Sequence, residues 1–448
     1  MFSFKEYKPF YKRNINLAVP VMITQAGQMV VQMADNIMVG HLGTTQFAGV
    51  SFANTIFVIG MAFCVCFTQG LTPLAGQNYG SGNYREVTKY FQNALVLNLI
   101  LSICVMAIMG CIMPLMKYMG QDPDILVYAR SYYSIMLFSI IPFIIFFTIR
   151  TFSEGIGITK YAMHITLGAN IINIILNWIL IFGKCGMPQM GVSGAALATL
   201  ISRILMLIAF TITIFTLEDY KRFTSLLEKR FLEKKKLGEL LGTSLPIATQ
   251  GLIEVTAFSL SGIMVGWFGK IALAAHQVAM TMSTISFMIA QGIGAAATIR
   301  VSHQLGEKDY PATRKAGFAA MHMAIAFMGL AGIIYVIFRN QIPLLFTTDP
   351  QVIQIASTLL AVCAIYQIFD ATQLSGLASL RALMDVKIPL LYSMLSYYLL
   401  CLPCGYLFGH TLNLGPIGVW IGLMAGLLVA SILFLTRFNR ITKRLIEK

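Results

Sequence analysis

Twelve stretches of the chain are apolar for long enough to cross a bilayer, and most polar residues gather between them. With soft edges they run at about 15–38, 52–76, 91–114, 131–153, 161–183, 190–217, 244–266, 276–300, 316–338, 353–379, 387–409 and 415–437. A membrane helix needs roughly 20 such residues to cover the ~30 Å hydrocarbon layer. None of the stretches alternates with the period of two that a barrel strand requires. The pattern therefore predicts an all-α integral membrane protein with twelve transmembrane helices.

The pattern also repeats. Shifted by 226 residues, Pro20–Lys89 lies over Pro246–Lys315 without a gap, and 14 of the 70 positions are identical. They include Pro20/Pro246, the tetrapeptide IMVG at 37–40 and 263–266, Gly43/Gly269 and Tyr84/Tyr310. Further on the shift becomes 227, as in Gly191-Val192 over Gly418-Val419. Six is even, so both copies cross the membrane in the same sense, as a parallel repeat about an axis along the membrane normal. The expected organisation is an N-terminal six-helix lobe over 1–217, a basic link over 218–243 and a C-terminal six-helix lobe over 244–448. The two pseudo-symmetric lobes are expected to flank a central cavity. Pro20 and Pro246 either sit near helix starts or, by removing a backbone donor, allow a bend.

Composition agrees with the pattern: 57% of the 448 residues are hydrophobic and 11% charged, against about 25% charged in a soluble domain. The net charge of +14 is unevenly placed. With the N-terminus inside, 26 of the 32 Lys and Arg fall on cytoplasmic segments and five on outer loops, with Arg203 left within the sixth span. Such an asymmetry sets topology, with both termini cytoplasmic, and the basic residues need no nucleic-acid partner. The short basic N-terminus precedes a segment containing Gln25, Gln28, Gln32 and Asp35 and no small-residue cleavage site, so it reads as a retained first helix. The eight cysteines lie mostly in apolar runs. Cys401 and Cys404 have CxxC spacing without a second pair or a His cluster, and read as small packing residues. No phosphate-binding loop, zinc signature or nucleophile elbow occurs. The chain is not expected to be an enzyme, and no cofactor is expected beyond a coupling ion.

The candidate chemistry lies in the few polar residues inside the spans. An ionisable group in the membrane must face a cavity or a partner. Glu254 is the one charge in GLIEVTAFSLSGIMVG of span 7, and Asp370 is the deep acid of span 10, in IYQIFDATQLSGLA. Phe258 lies one turn after Glu254 and Tyr366 one turn before Asp370, on the same helix faces. Carboxylates beside ring faces make a cation site, with Na⁺ at Glu254 and Asp370 one reading and an interhelical brace the other. For Phe258 and Tyr366 ordinary core packing is the simpler reading. In the first half, Asp35 lies near the outer end of span 1, and Asn173 and Asn177 share a face of span 5. They form either a second polar pocket or helix-to-helix hydrogen bonds. The repeat does not preserve the acids: Glu254 falls opposite Gln28, and Asp35 opposite Ser261. Arg203 has no acid nearby in sequence and stays unassigned.

Six stretches, ADNIMVGHLGTTQFAGVS, TPLAGQNYGSGN, LPIATQGLIEVTAF, AAHQVA, IRVSHQLGE and GLASLRALMD, carry a resemblance to the multidrug and toxic compound extrusion (MATE) family, most closely its bacterial NorM-like branch. The likeness spans essentially the whole chain. It implies a secondary active antiporter of the plasma (inner) membrane that exports cationic drugs or toxic organic compounds in exchange for Na⁺ or H⁺ by alternating access. It further implies a C-lobe cation site at Glu254 and Asp370 with Tyr366, and an N-lobe site at Asp35 with Asn173, Asn177 and Thr199. Some relatives carry aspartate at the position of Asn177. The expected partners are small cationic organic substrates, the coupling cation and the lipid bilayer; the doubled unit makes a monomer sufficient. The wider superfamily offers a second function, flipping a lipid-linked sugar, which should need deep Arg and Lys for phosphate; the deep acids favour cationic cargo. A passive channel is a third, against which the doubled unit argues.

Overall fold

The computed structural model describes residues 4–447, and among them every long element is a helix. We number the membrane helices α1 (Phe4–Gly40), α2 (Thr44–Gly80), α3 (Tyr84–Tyr118), α4 (Pro123–Phe138 and Ile140–Gly155), α5 (Lys160–Phe182), α6 (Gly191–Thr216), α7 (Lys234–Gly266), α8 (Lys270–Gly306), α9 (Tyr310–Ile337), α10 (Pro350–Ala382), α11 (Lys387–Thr411) and α12 (Gly415–Ile446). Counting the bent α4 as one span gives twelve candidate membrane spans, as the hydrophobic pattern predicts.

The bend in α4 is 42° and has a chemical cause. Pro142 lacks the N–H that would reach the Phe138 carbonyl, and its ring crowds that turn. The helix tightens there instead: the Ser139 backbone N–H donates to Met136 O, as does its hydroxyl, at 3.0 and 2.6 Å.

Several helices outrun their apolar stretches, because hydrocarbon ends where water begins but helical hydrogen bonding does not. α7 starts at Lys234, inside the segment expected to be link, and a short helix, Glu218–Thr224, forms earlier in that segment. The longer helices also settle where the two prolines lie. Pro20 is sixteen residues into α1 and Pro246 twelve into α7, so neither is near a helix start. Each leaves the carbonyl four residues earlier, on Asn16 or Gly242, without its helical donor.

The described chain divides into two compact units. One is Ile23–Ala248; the other joins the residues up to Met22 to those from Thr249 on. The division differs from the expected 1–217, 218–243 and 244–448, since it falls inside α1 and α7, two residues after each proline. The two division points are themselves 226 residues apart, so the repeat is structural. Caps repeat at the same offset. The Asn83 side chain accepts from Glu86 N at the start of α3, and that of Asp309 from Ala312 N at the start of α9, each satisfying one orphan helix donor. Gly43 and Gly269 precede α2 and α8 with φ of 130° and 97°, a backbone that L side chains rarely adopt.

The link packs with the first repeat because it is bonded to α3. Lys89 Nζ donates to Glu233 at 2.8 Å, Arg85 Nε to Glu228 at 2.6 Å, and Lys236 to Glu86. Asn93 Nδ2 donates to Phe231 O at 2.8 Å, while its Oδ1 accepts from Glu233 N at 3.1 Å.

Large apolar side chains such as Phe67, Phe210, Phe434 and Trp420 fill the cores, but a helix that carries the candidate polar residues turns those inward and large apolar ones out. On α5, Asn173 and Asn177 are buried while Ile171, Ile175 and Trp178 are exposed, the pattern expected where the surrounding solvent is lipid. In the second unit α12 packs on α11 through Gly418, Gly422 and Gly426, one turn apart. A Cβ on Gly422 would stand 2.3 Å from Gly405 N, and one on Gly418 would stand 2.4 Å from Phe408 C. α11 answers with two stretches of π-helical turn, Leu395–Cys401 and Leu407–Thr411.

Candidate functional site

Two polar clusters lie inside the spans, one in each unit. In the second unit, α10 places Asp370 at 1% exposure, with Oδ1 lacking any hydrogen-bond partner. Glu254 of α7 is partly buried and within electrostatic reach of Asp370. Tyr366 of α10 and Tyr397 of α11 are buried and interact with both acids. Phe258 stands with its ring 6.0 Å from that of Tyr397. Thus all four residues expected in this lobe come together, around a tyrosine that the sequence reading missed. Tyr397 sits in the first π-helical stretch of α11; an inserted residue per turn re-aims side chains, and no spacing rule reveals it.

Many of the surrounding groups are tied to one another, although Gln367 Oε1 and Tyr397 OH, like Asp370 Oδ1, have no hydrogen-bond partner. Tyr366 packs on Trp420 with centroids 5.6 Å apart, and Trp420 Nε1 donates to His276 Nδ1 at 3.1 Å. Gln367 Nε2 donates to Ser286 Oγ at 2.5 Å, and Tyr335 OH donates to Met282 O at 2.7 Å. Gln250, one turn before Glu254, donates from Nε2 to Ser393 Oγ at 2.8 Å, and its Oε1 accepts from Arg381 Nη2 at 3.3 Å. Arg381 is also within electrostatic reach of Glu254, so it does more than set topology as one of the cytoplasmic-side charges. A fixed frame of hydrogen bonds thus surrounds two carboxylates, one with an oxygen left open. Oxygen donors of this kind suit Na⁺, a proton or an organic cation.

In the first unit, Asn177 Nδ2 donates to Asp35 Oδ1 at 2.5 Å and to Asn173 Oδ1 at 3.1 Å, tying α5 to α1. Three of the four expected residues therefore meet. Thr199 donates its hydroxyl to Ala195 O in its own helix, at 3.1 Å, rather than to these three side chains. Arg203, unassigned from sequence, belongs near this cluster. Its guanidinium donates to Ser139 Oγ at 2.7 Å, at the bend of α4, and stacks on Phe143 at 4.2 Å. It interacts electrostatically with Asp35 and Tyr132. A charge within a hydrophobic span was the visible signal; its partner, brought in by another helix, was not.

Among the described residues, twelve membrane helices in a doubled six-helix plan, with an incompletely partnered carboxylate inside the spans, define a polytopic membrane carrier. The MatE family model matches the chain twice, over residues 20–179 and 246–407, and the chain belongs to that family. Both matches open at the repeated proline. The multidrug resistance protein NorM of Vibrio cholerae is 31% identical over 446 residues, covering 98% of this chain and 97% of that protein. NorM of Photobacterium profundum is 31% identical over 438 residues, covering 97% and 96%. Among solved structures, an outward-facing MATE family transporter of the MOP superfamily aligns with a TM-score of 0.90 at 21% identity, covering 98% of this chain and 97% of that one. The eukaryotic MATE transporter AtDTX14 aligns with a TM-score of 0.87 at 19% identity, covering 98% and 99%. These likenesses bear out the twelve-helix, two-lobe class.

Proposed function

We propose that the protein is a secondary active antiporter that exports cationic drugs or other toxic organic cations in exchange for Na⁺ or H⁺. It works from the plasma (inner) membrane with both termini cytoplasmic, as the basic asymmetry of its loops directs. One observation carries the reading: a carboxylate at 1% exposure, Asp370, with an unpartnered oxygen, beside a second acid, Glu254. Leaving a charge so placed is costly in a membrane unless a mobile cation completes it. Glu254 and Asp370 bind the exchanged cations, Tyr366, Phe258 and Tyr397 supply ring and hydroxyl surface, and Asp35 with Asn173 and Asn177 holds a second ion. The names of the NorM relatives support multidrug efflux.

Alternating access requires that the coupling ion favour one state over the other. α1 and α7 each pass from one compact unit to the other just after an interior proline, and we assign Pro20 and Pro246 as the bends that let the units move. The test is efflux of ethidium from cells making wild type or Glu254→Gln, with Na⁺ and pH gradients imposed separately. Wild-type efflux should follow one gradient, and the inserted variant should be inactive. Efflux by wild type that ignores both gradients would refute antiport.

A further inference from the structure

We propose that the first unit carries a binding site for an anionic phospholipid of the inner leaflet, with one acyl chain inside the protein and the headgroup on the link. The site is a cavity of about 350 Å³ between α3, α4, α6 and the link, at the lower end of the ~300–1,000 Å³ range of ligand pockets. Phe91 and Val96 of α3, Ile149 of α4, Phe215 of α6, and Leu227 and Phe231 of the link line it.

The lining decides the ligand class. The polar residues in its wall already have partners. Thr88 donates to Tyr84 O at 3.1 Å, Thr211 to Leu207 O at 2.8 Å and Thr224 to Lys221 O at 3.2 Å. Gln92 exchanges hydrogen bonds with the Glu228 backbone in both directions. Their hydrogen-bond donors are thus engaged within the protein, and a wall so largely apolar offers water few partners. Hydrocarbon fits it. Phe215 and Leu227, at 59% and 39% exposure, lie where the cavity opens.

The rim decides the headgroup. Lys229 and Arg230 lie in sequence between the lining residues Leu227 and Phe231; both are exposed. The two acids of the link nearest them in sequence are engaged elsewhere, Glu228 with Arg85 and Glu233 with Lys89. Two exposed cations are therefore held on the link segment that forms one wall of a hydrocarbon slot, complementary to a phosphate and repellent to the cationic cargo proposed above. The depth matches as well. The cavity spans residues 88–96 of α3, which begins at Tyr84, so it reaches from the helix end about 18 Å into the span. Placing that end in the inner leaflet rests on the proposed orientation.

The test is native mass spectrometry of the delipidated full chain titrated with phosphatidylglycerol or phosphatidylcholine. This readout needs neither orientation nor transport, so its failure would leave the antiport reading standing. Wild type should retain phosphatidylglycerol preferentially. Lys229→Gln with Arg230→Gln should weaken that binding roughly thirtyfold, from about one charge interaction lost per residue. Val96→Trp, which fills the slot and leaves both cations, should abolish it; Leu95→Phe is the milder filling variant should the tryptophan fail to fold. Equal retention of the two lipids by wild type, or undiminished phosphatidylglycerol binding when the slot is filled, overturns the proposal, the latter by leaving only charge adsorption to the link.

Discussion

Asp370→Asn is expected to raise stability and abolish ion-dependent transport at once. The side chain is 1% exposed and one carboxylate oxygen has no partner, while Glu254 adds a like charge within reach. Insertion scales put an ionised Asp at mid-span at roughly 2.5–3.5 kcal/mol. Asparagine keeps the shape and removes the charge, and its amide is less costly to bury. A gain of about 1–3 kcal/mol should follow at about pH 8 without coupling ion, seen as a rise of several degrees in the thermal midpoint of detergent-purified protein. Wild type should recover the difference when the ion binds, by about 2.7 kcal/mol at a hundredfold excess over Kd, while the variant stays flat. In proteoliposomes, ion-driven dye uptake by the variant should be lost. An interhelical brace predicts the opposite on both counts: a variant less stable than wild type and still transporting would refute the reasoning.

Other outcomes follow from particular contacts. Gly422→Leu should prevent close packing of α11 and α12, since its first carbon would stand 2.3 Å from the Gly405 backbone; a loss of about 3 kcal/mol or more should appear as aggregation in size-exclusion chromatography, and a monodisperse variant would refute the contact. Arg203→Met should remove the charged hydrogen bond to Ser139 and the stack on Phe143, together about 2–4 kcal/mol, lowering the thermal midpoint; an unchanged midpoint would show that the guanidinium is idle. Asn177→Ala should strip Asp35 of its amide donor and loosen the carboxylate of the cation site proposed for the first unit, weakening binding there about tenfold or more in a titration of ion-induced stabilisation; an unchanged curve would remove the cluster from the proposed mechanism. Lys89 donates to Glu233 and holds its carboxyl below the ordinary value of 4.5. The contribution is complete above that value and lost as pH falls below it, so hydrogen-exchange protection of the link should hold down to about pH 4.5 and then decline. Loss already at about pH 6 would contradict the pairing.

The sequence by itself determined the class, the number of spans and the doubled architecture. Lipid imposes one rule, long apolar helices with their backbone bonded internally, and a copied six-helix unit leaves matching glycines, prolines and caps at a constant offset. It also picked out Glu254, Asp370, Asp35, Asn173 and Asn177, because polar groups inside apolar spans are rare enough to stand out singly. Tertiary structure decided what meets what. Tyr397 reaches the acids through a π-helical stretch, and Arg203 finds its partner on a different helix. Thr199 turns its hydroxyl to its own backbone, and the link joins the first unit through ion pairs more than a hundred residues apart in sequence. The division of α1 and α7 between the units was equally hidden. Periodicity reports which face of a helix is polar, but neighbours are set by how whole helices cross, and that depends on the packing of every residue along them.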